Sequence, residues 1–192
     1  MNQQVILASQ SLYKQNILNR LPIGFESVTP AVDETPNIGE TAEALTLRLA
    51  KAKALTVADT YSTNFIISTD QAATIENLIL GKPHTFDAAC RMLEMISGRS
   101  IYFFTSVCLV TPRNEVYLHT EKVIVNMRSL APAEIQRYVT LDSPLDCAGS
   151  FKVESLGISL FTSVRSQDPT ALEGLPLIRL CQWLRDQGFK IP

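Results

Sequence analysis

Apolar and polar positions change period repeatedly along this chain, and each change marks an element. Val5-Ile6-Leu7-Ala8 is an unbroken apolar run, the pattern of a short strand buried on both faces. Behind the polar turn Ser9-Gln10-Ser11, Ile17, Leu18 and Leu21 recur at helical spacing. Either serine can cap that helix, because a serine oxygen accepts from an orphan N–H of the first turn. Phe25 to Thr29 predicts a second strand, which leads into the loop Pro30-Ala31-Val32-Asp33-Glu34-Thr35-Pro36. From Thr41 onward, Leu45, Leu49, Ala52 and Leu55 mark a long amphipathic helix with alanine filling. Lys51 and Lys53 lie on it two residues apart, and so on different faces.

Phe65 to Ser68 is the next buried strand, and Asp70 closes its run. Ala72 to Ile75 and Leu78 to Leu80 predict a hairpin around Glu76-Asn77, where Asn tolerates positive φ. Gly81-Lys82-Pro83 breaks the chain before a helix over roughly Phe86 to Ser97, with Gly98 suited to its stop. Ile101 to Val110 and Val116 to Val125 predict two long strands joined at Pro112-Arg113-Asn114-Glu115. A helix near Pro132 to Leu141, a strand over Ile158 to Val164 and a helix over Leu175 to Gln187 complete the order. Strands and helices alternate around a central hairpin, which predicts an α/β protein with a mixed sheet flanked by helices. No repeat or low-complexity segment interrupts residues 1–192, so one domain is expected.

Composition narrows the class. Of 192 residues, 46% are hydrophobic and 19% charged, enough to bury a sizeable core. The formal net charge of −2 supplies no global attraction for nucleic acid or an anionic membrane. Any phosphate site must therefore be local. No apolar run approaches the ~20 residues that span a bilayer. Met1-Asn2-Gln3-Gln4 carries no basic n-region, and a cytoplasmic protein is expected. Cys90, Cys108, Cys147 and Cys181 form no Cys-x-x-Cys pair, which suits reduced thiols better than a zinc or redox motif.

Polar clusters fall where strand ends and loops are predicted. They are Ser9/Ser11/Lys14, Asp33-Glu34, Asp70-Gln71 with Lys82, and Lys152/Glu154 beside Gly149-Ser150. Carboxylates at strand ends, faced by lysines and a hydroxyl-rich turn, suit phosphoryl chemistry. Lysines hold phosphate oxygens as point charges, and carboxylates hold a divalent cation or deprotonate water. Each residue also has an ordinary structural reading. An aspartate after a strand commonly forms a turn or caps a helix, Asp33-Glu34 suits a solvated loop, Lys82 suits a turn, and Lys152/Glu154 suit an exposed strand edge. His84 and His119 stand alone and are read as structural.

The order of motifs resembles the Maf family of nucleotide pyrophosphatases over essentially the whole length. The segments that carry it are Leu7-Ala8-Ser9-Gln10-Ser11, Val32-Asp33-Glu34-Thr35-Pro36, Leu49-Ala50-Lys51-Ala52-Lys53-Ala54, Ser68-Thr69-Asp70-Gln71, Leu80-Gly81-Lys82-Pro83, Ser97-Gly98-Arg99 and Gly174-Leu175-Pro176-Leu177. The resemblance implies an elongated mixed sheet of the Maf/ITPase-like kind, Mg²⁺ or Mn²⁺ as cofactor, and a homodimer in a cytoplasmic house-cleaning role. It implies hydrolysis of nucleoside triphosphates between the α- and β-phosphates. By the same carry-over Asp70 activates water, Ser9, Lys14, Lys53 and Lys82 contact phosphate, and Glu34 joins Asp70 in holding the metal.

Asp70-Gln71 and the segment Cys147-Ala148-Gly149-Ser150-Phe151-Lys152-Val153-Glu154 resemble the branch acting on 7-methylguanosine triphosphate. A cationic methylated base favours an aromatic face and a carboxylate, which suits Tyr13 and Glu154, and Gln71 offers both a donor and an acceptor. With Lys152 of the same late segment, these are the specificity residues the resemblance implies. Tyr13 is otherwise read as an ordinary exposed aromatic. The chain departs from the family pattern in three places. Lys14-Gln15 stands for an arginine pair, Ser68-Thr69 for Gly followed by Ala or Ser, and Tyr13 for Trp. The lost arginine fork implies weaker triphosphate binding. The alternatives are a dTTP/UTP pyrophosphatase of the same family, or a weakened nucleotide-binding regulator of septum formation and cell division.

Overall fold

The computed structural model describes residues 4–76 and 78–192. In chain order the regular elements are β1 (Val5–Leu7), α1 (Leu12–Leu18), β2 (Phe25–Ser27), α2 (Ala42–Ala58), β3 (Phe65–Ile75), β4 (Leu78–Leu80), α3 (Phe86–Ile96), β5 (Ser100–Val110), β6 (Val116–Met127), α4 (Pro132–Asp142), β7 (Phe161–Arg165) and α5 (Leu177–Asp186). The strands form one mixed sheet in the order β2-β1-β3-β5-β6-β7, with β4 also paired to β3. β1 runs parallel to both β2 and β3, whereas β4 on β3 and β7 on β6 are antiparallel. The expected α/β class with a mixed sheet is therefore present. Among the described residues no helix is long and apolar enough to cross a membrane.

Contacts divide the chain into two compact units. The first holds residues 1–71, 105–121 and 168–192, and the second holds residues 72–104 and 122–167. In the first unit, strand alternation sorts the core onto two faces. Ile6, Ala8, Ile66, Cys108 and Val110 pack beneath Ala50, Ala54 and Val57 of α2. Val5, Leu7, Phe65, Ile67, Val107 and Leu109 pack on Ile17 and Leu18 of α1 and Leu180 and Leu184 of α5. Each fully buried Leu or Ile contributes roughly 1.5–3 kcal/mol, which explains why these strands read as continuous apolar runs. In the second unit α3 packs on α4, and Phe103, Phe151 and Phe161 form an edge-to-face series at 5.4 and 4.8 Å between centroids.

The elements differ from expectation at three places. β3 is one strand of 11 residues, so Asp70 and Gln71 lie inside it and do not follow it. Ser68, Thr69, Asp70 and Gln71 remain in the strand because each polar side chain finds a partner there. The expected strand over Ile158 to Val164 is split: Leu156–Leu160 is a 3₁₀ helix, and β7 starts at Phe161. The β6–β7 register shifts between Asn126 and Met127, and the pairing stops at Phe161, just where that helix ends. The last helix starts at Leu177, with Pro176 at its N-cap, because a proline keeps the residue before it, Leu175, out of the helical region. The turn residue Asn77 lies outside the described residues, though β3 and β4 do pair as the expected hairpin.

Candidate active site

The pleat of β3 decides what each polar residue meets. Ile66, Ser68 and Asp70 point toward α2, and Phe65, Ile67, Thr69 and Gln71 point the other way. Ser68 Oγ donates to the Ala50 carbonyl of α2, which ties strand to helix one turn before Lys53. Thr41 caps α2 by accepting from Ala44 N–H at 3.2 Å, so the helix start is fixed and Lys53 falls on its buried face. Lys51, two residues earlier, is exposed, as the helical spacing predicts.

Lys53 Nζ donates to Asp70 Oδ1 at 2.6 Å and lies 2.7 Å from Glu34 Oε1. Asp70 and Lys53 are 8% and 6% exposed, while the Glu34 side chain is 62% exposed. One ammonium thus bridges a buried carboxylate and one that faces solvent. Burial alone would lower the Lys53 pKa. Asp70 and then Glu34 outweigh it, so the net shift is upward and Lys53 is charged throughout the neutral range.

The first strand-to-helix turn lies in the same unit. Ser9 is buried, and its Oγ accepts from Ser11 N–H at 3.2 Å. Ser11 stands at the N-cap of α1 without a side-chain cap bond. Lys14 Nζ donates to the Thr69 carbonyl at 2.7 Å, so that charge reaches the residue preceding Asp70. Tyr13 is half-buried on α1.

Gln71 meets different chemistry. Its Nε2 donates to Thr105 Oγ1 at 3.0 Å and to the Ala171 and Leu172 carbonyls at 2.9 and 3.1 Å. Thr69 Oγ1 donates to the Gly174 carbonyl at 2.8 Å. The far side of the strand is thus fastened to residues 171–174. Just before that segment, Asp168 Oδ2 accepts from Ile178 N–H in the first turn of α5 at 2.7 Å.

Lys82, Lys152 and Glu154 belong to the second unit. Lys82 is exposed in the segment after β4. Lys152 Nζ donates to the Asp142 carbonyl at the end of α4, and its N–H donates to Tyr138 Oη. Glu154 is exposed in a turn, not on a strand edge. Sequence reasoning missed Thr105 and Arg48, since nothing in their local pattern separates them from ordinary strand and helix residues. Only the fold brings Thr105 to Gln71 and Arg48 to the loop that carries Glu34.

Residues 4–187 match the family described as Maf-like protein. The chain belongs to the Maf family. A curated Xanthomonas oryzae pv. oryzae protein named 7-methyl-GTP pyrophosphatase is 47% identical over 189 residues, which cover 98% of this chain and 99% of that protein. A Pseudomonas aeruginosa protein of the same name is 43% identical over 98% of both. Among solved structures, a Staphylococcus aureus Ham1 protein matches with a TM-score of 0.55 at 15% identity, covering 97% of this chain and 100% of that one. That likeness concerns the fold. In this Maf chain the family segments Val32 to Pro36, Leu49 to Ala54 and Ser68 to Gln71 supply the three members of the Glu34–Lys53–Asp70 group.

Proposed function

We propose that this Maf protein is a nucleoside triphosphate pyrophosphatase that hydrolyses 7-methyl-GTP, or a closely related modified nucleotide, to the monophosphate and pyrophosphate. The class is supported by family membership and by full-length relatives at 42–47% identity that carry that activity in their names. The observation that carries the chemistry is the buried Asp70 carboxylate held on Lys53, with Glu34 on the same ammonium. Asp70 accepts the proton of the attacking water as it adds to phosphorus, the role a positioned carboxylate serves in general base catalysis. Lys53 and Lys14, with Lys82 and the Ser9 turn, neutralise the triphosphate. Positioned charge supplies most of the acceleration in phosphoryl transfer.

A divalent cation fits this donor set. Mg²⁺ and Mn²⁺ are hard ions that take one or two carboxylates, several waters and substrate phosphates, and need no all-protein cage. Asp70 and Glu34 lie on the same Lys53 ammonium, and these two carboxylates would supply the protein oxygens for such an ion. Among the described residues no group of three or more His, Cys, Asp or Glu is placed to hold a metal ion. When bound, the ion would balance charge developing on the phosphate oxygens. Tyr13, Gln71, Lys152 and Glu154 are the proposed specificity residues, and a cytoplasmic homodimer completes the proposal.

Pyrophosphate release from a nucleotide panel with Mg²⁺ or Mn²⁺ tests the activity, with Asp70→Asn beside the wild type. Equal release by both proteins would remove Asp70 from the mechanism. Faster release from dTTP or UTP would overturn the substrate and leave the class intact.

A further inference from the structure

The loop that carries Glu34 has no apolar reason to stay where it is. None of the residues 29–40 is buried, and Ile38 is fully exposed. An ion pair with one exposed partner, such as Lys53 with Glu34, is too weak by itself to offset the entropy of ordering so many residues. Something else must fix the backbone beside Glu34.

Arg48 of α2 provides that hold. Its Nε donates to Glu40 Oε1 at 2.7 Å and its Nη2 to Glu40 Oε2 at 2.8 Å, a two-pronged fork. The same Nη2 donates to the Thr35 carbonyl at 3.1 Å, on the residue next to Glu34. Glu40 Oε2 also accepts from Asn37 N–H at 2.9 Å, and Asp33 Oδ1 accepts from Thr35 N–H at 2.9 Å. The loop is thus gripped on both sides of its exposed tip. The Arg48 fork first, and the Asn37 N–H next, hold the Glu40 carboxyl at about 2, so the clamp is charged at every working pH. Arg48 also lies within the fields of Asp33 and Asp70.

We propose that Arg48 is a positioning residue of this enzyme, fixing the loop through Glu40 and the Thr35 carbonyl so that Glu34 meets Lys53 and Asp70. The proposal rests on the pyrophosphatase reading, in which Glu34 serves turnover and the metal. Arg48 touches neither substrate nor Asp70 in this role and acts through Glu34. Lysine cannot replace it, because one ammonium cannot serve the fork and the carbonyl together.

The test compares Arg48→Gln, Arg48→Lys and Glu40→Gln in wild-type and Glu34→Gln backgrounds. Readouts are kcat, the Mn²⁺ concentration for half-maximal rate, and amide hydrogen exchange across residues 31–40. Arg48→Gln is expected to lower kcat and raise the Mn²⁺ requirement by about 10–100-fold in all, as loss of an outer-shell partner does. Arg48→Lys should fall with it, and Glu40→Gln should reproduce a milder loss without touching Arg48. In the Glu34→Gln background, adding Arg48→Gln should change the rate by less than about twofold, because the two residues act as one unit. Loop exchange should quicken in each Arg48 variant. Additive losses, full activity in Arg48→Lys, or unchanged loop exchange would each overturn the proposal. Wild-type protein that released pyrophosphate from no nucleotide would overturn the pyrophosphatase reading, while loop exchange would still report the hold of Arg48.

Discussion

Asp70 and Gln71 are adjacent on β3 and meet opposite kinds of chemistry. Asp70 faces α2 and shares the buried ammonium of Lys53 with Glu34, so its surroundings are charges. Gln71 faces the other side and gives its N–H groups to Thr105 and to two backbone carbonyls, so its surroundings are neutral dipoles. The pleat alone makes this division, since successive side chains leave a strand on opposite faces. It separates a residue suited to handle a proton from one suited to hold a segment in place.

The comparison can be broken by removing either side. Asp70→Asn is expected to lower kcat by about 10²–10⁴-fold, the usual contribution of a positioned base, as read by pyrophosphate release. Activity within twofold of wild type would show that the charged face does not carry the reaction. Lys53→Met leaves a buried carboxylate without its counter-charge and should destabilise the fold by about 3–5 kcal/mol in denaturant titration. A stable Lys53→Met protein would mean that Asp70 is compensated from elsewhere.

The pH dependence of the same pair sharpens this point. The folded pKa of Lys53 is raised above its ordinary value of 10.5. The stability it contributes is therefore fully present below that value and is lost as pH rises through the folded pKa. Wild type should lose thermal stability more steeply than Lys53→Met in that alkaline window, and parallel curves would contradict the coupling. Gln71→Ala should cost about 1–3 kcal/mol, because the Leu172 carbonyl and the Thr105 hydroxyl lose the amide that donates to them, while kcat falls far less than in Asp70→Asn. A loss of turnover as large as that of Asp70→Asn would erase the contrast between the two faces. The mildest probe is Cys108, on the α2 side of β5, whose thiol is pushed up to about 12, mainly by burial. It should resist alkylation until global unfolding, whereas labelling at the native rate of exposed thiols would show that this face opens.

Much of this was legible along the chain. The apolar runs at Val5 to Ala8 and Phe65 to Ser68, the helical spacing from Leu45 to Leu55 and the long strand pair after Gly98 all report burial, and burial needs only local periodicity to be seen. Asp70, Glu34 and Lys53 were recognisable as motif residues, and the fold brings these three together. Two stretches were less legible. The polar stretch Ser68 to Gln71 looked like the end of a strand, because the partners that satisfy it come from Ala50, Gly174, Lys53 and Ala171, remote in sequence. Ile158 to Leu160 looked like strand because its apolar residues carry no sign of the register shift at Asn126 that stops pairing.

The sequence by itself determined the family, the α/β class and the identity of the charged residues, since these depend on residue type, order and local period. Only the tertiary structure decided which charges meet, that Gln71 is tied to residues 171–172, and that Arg48 holds the loop of Glu34. Those outcomes depend on partners 8 to 101 positions apart along the chain, and such contacts exist only once the strand faces and helix faces have been buried against one another.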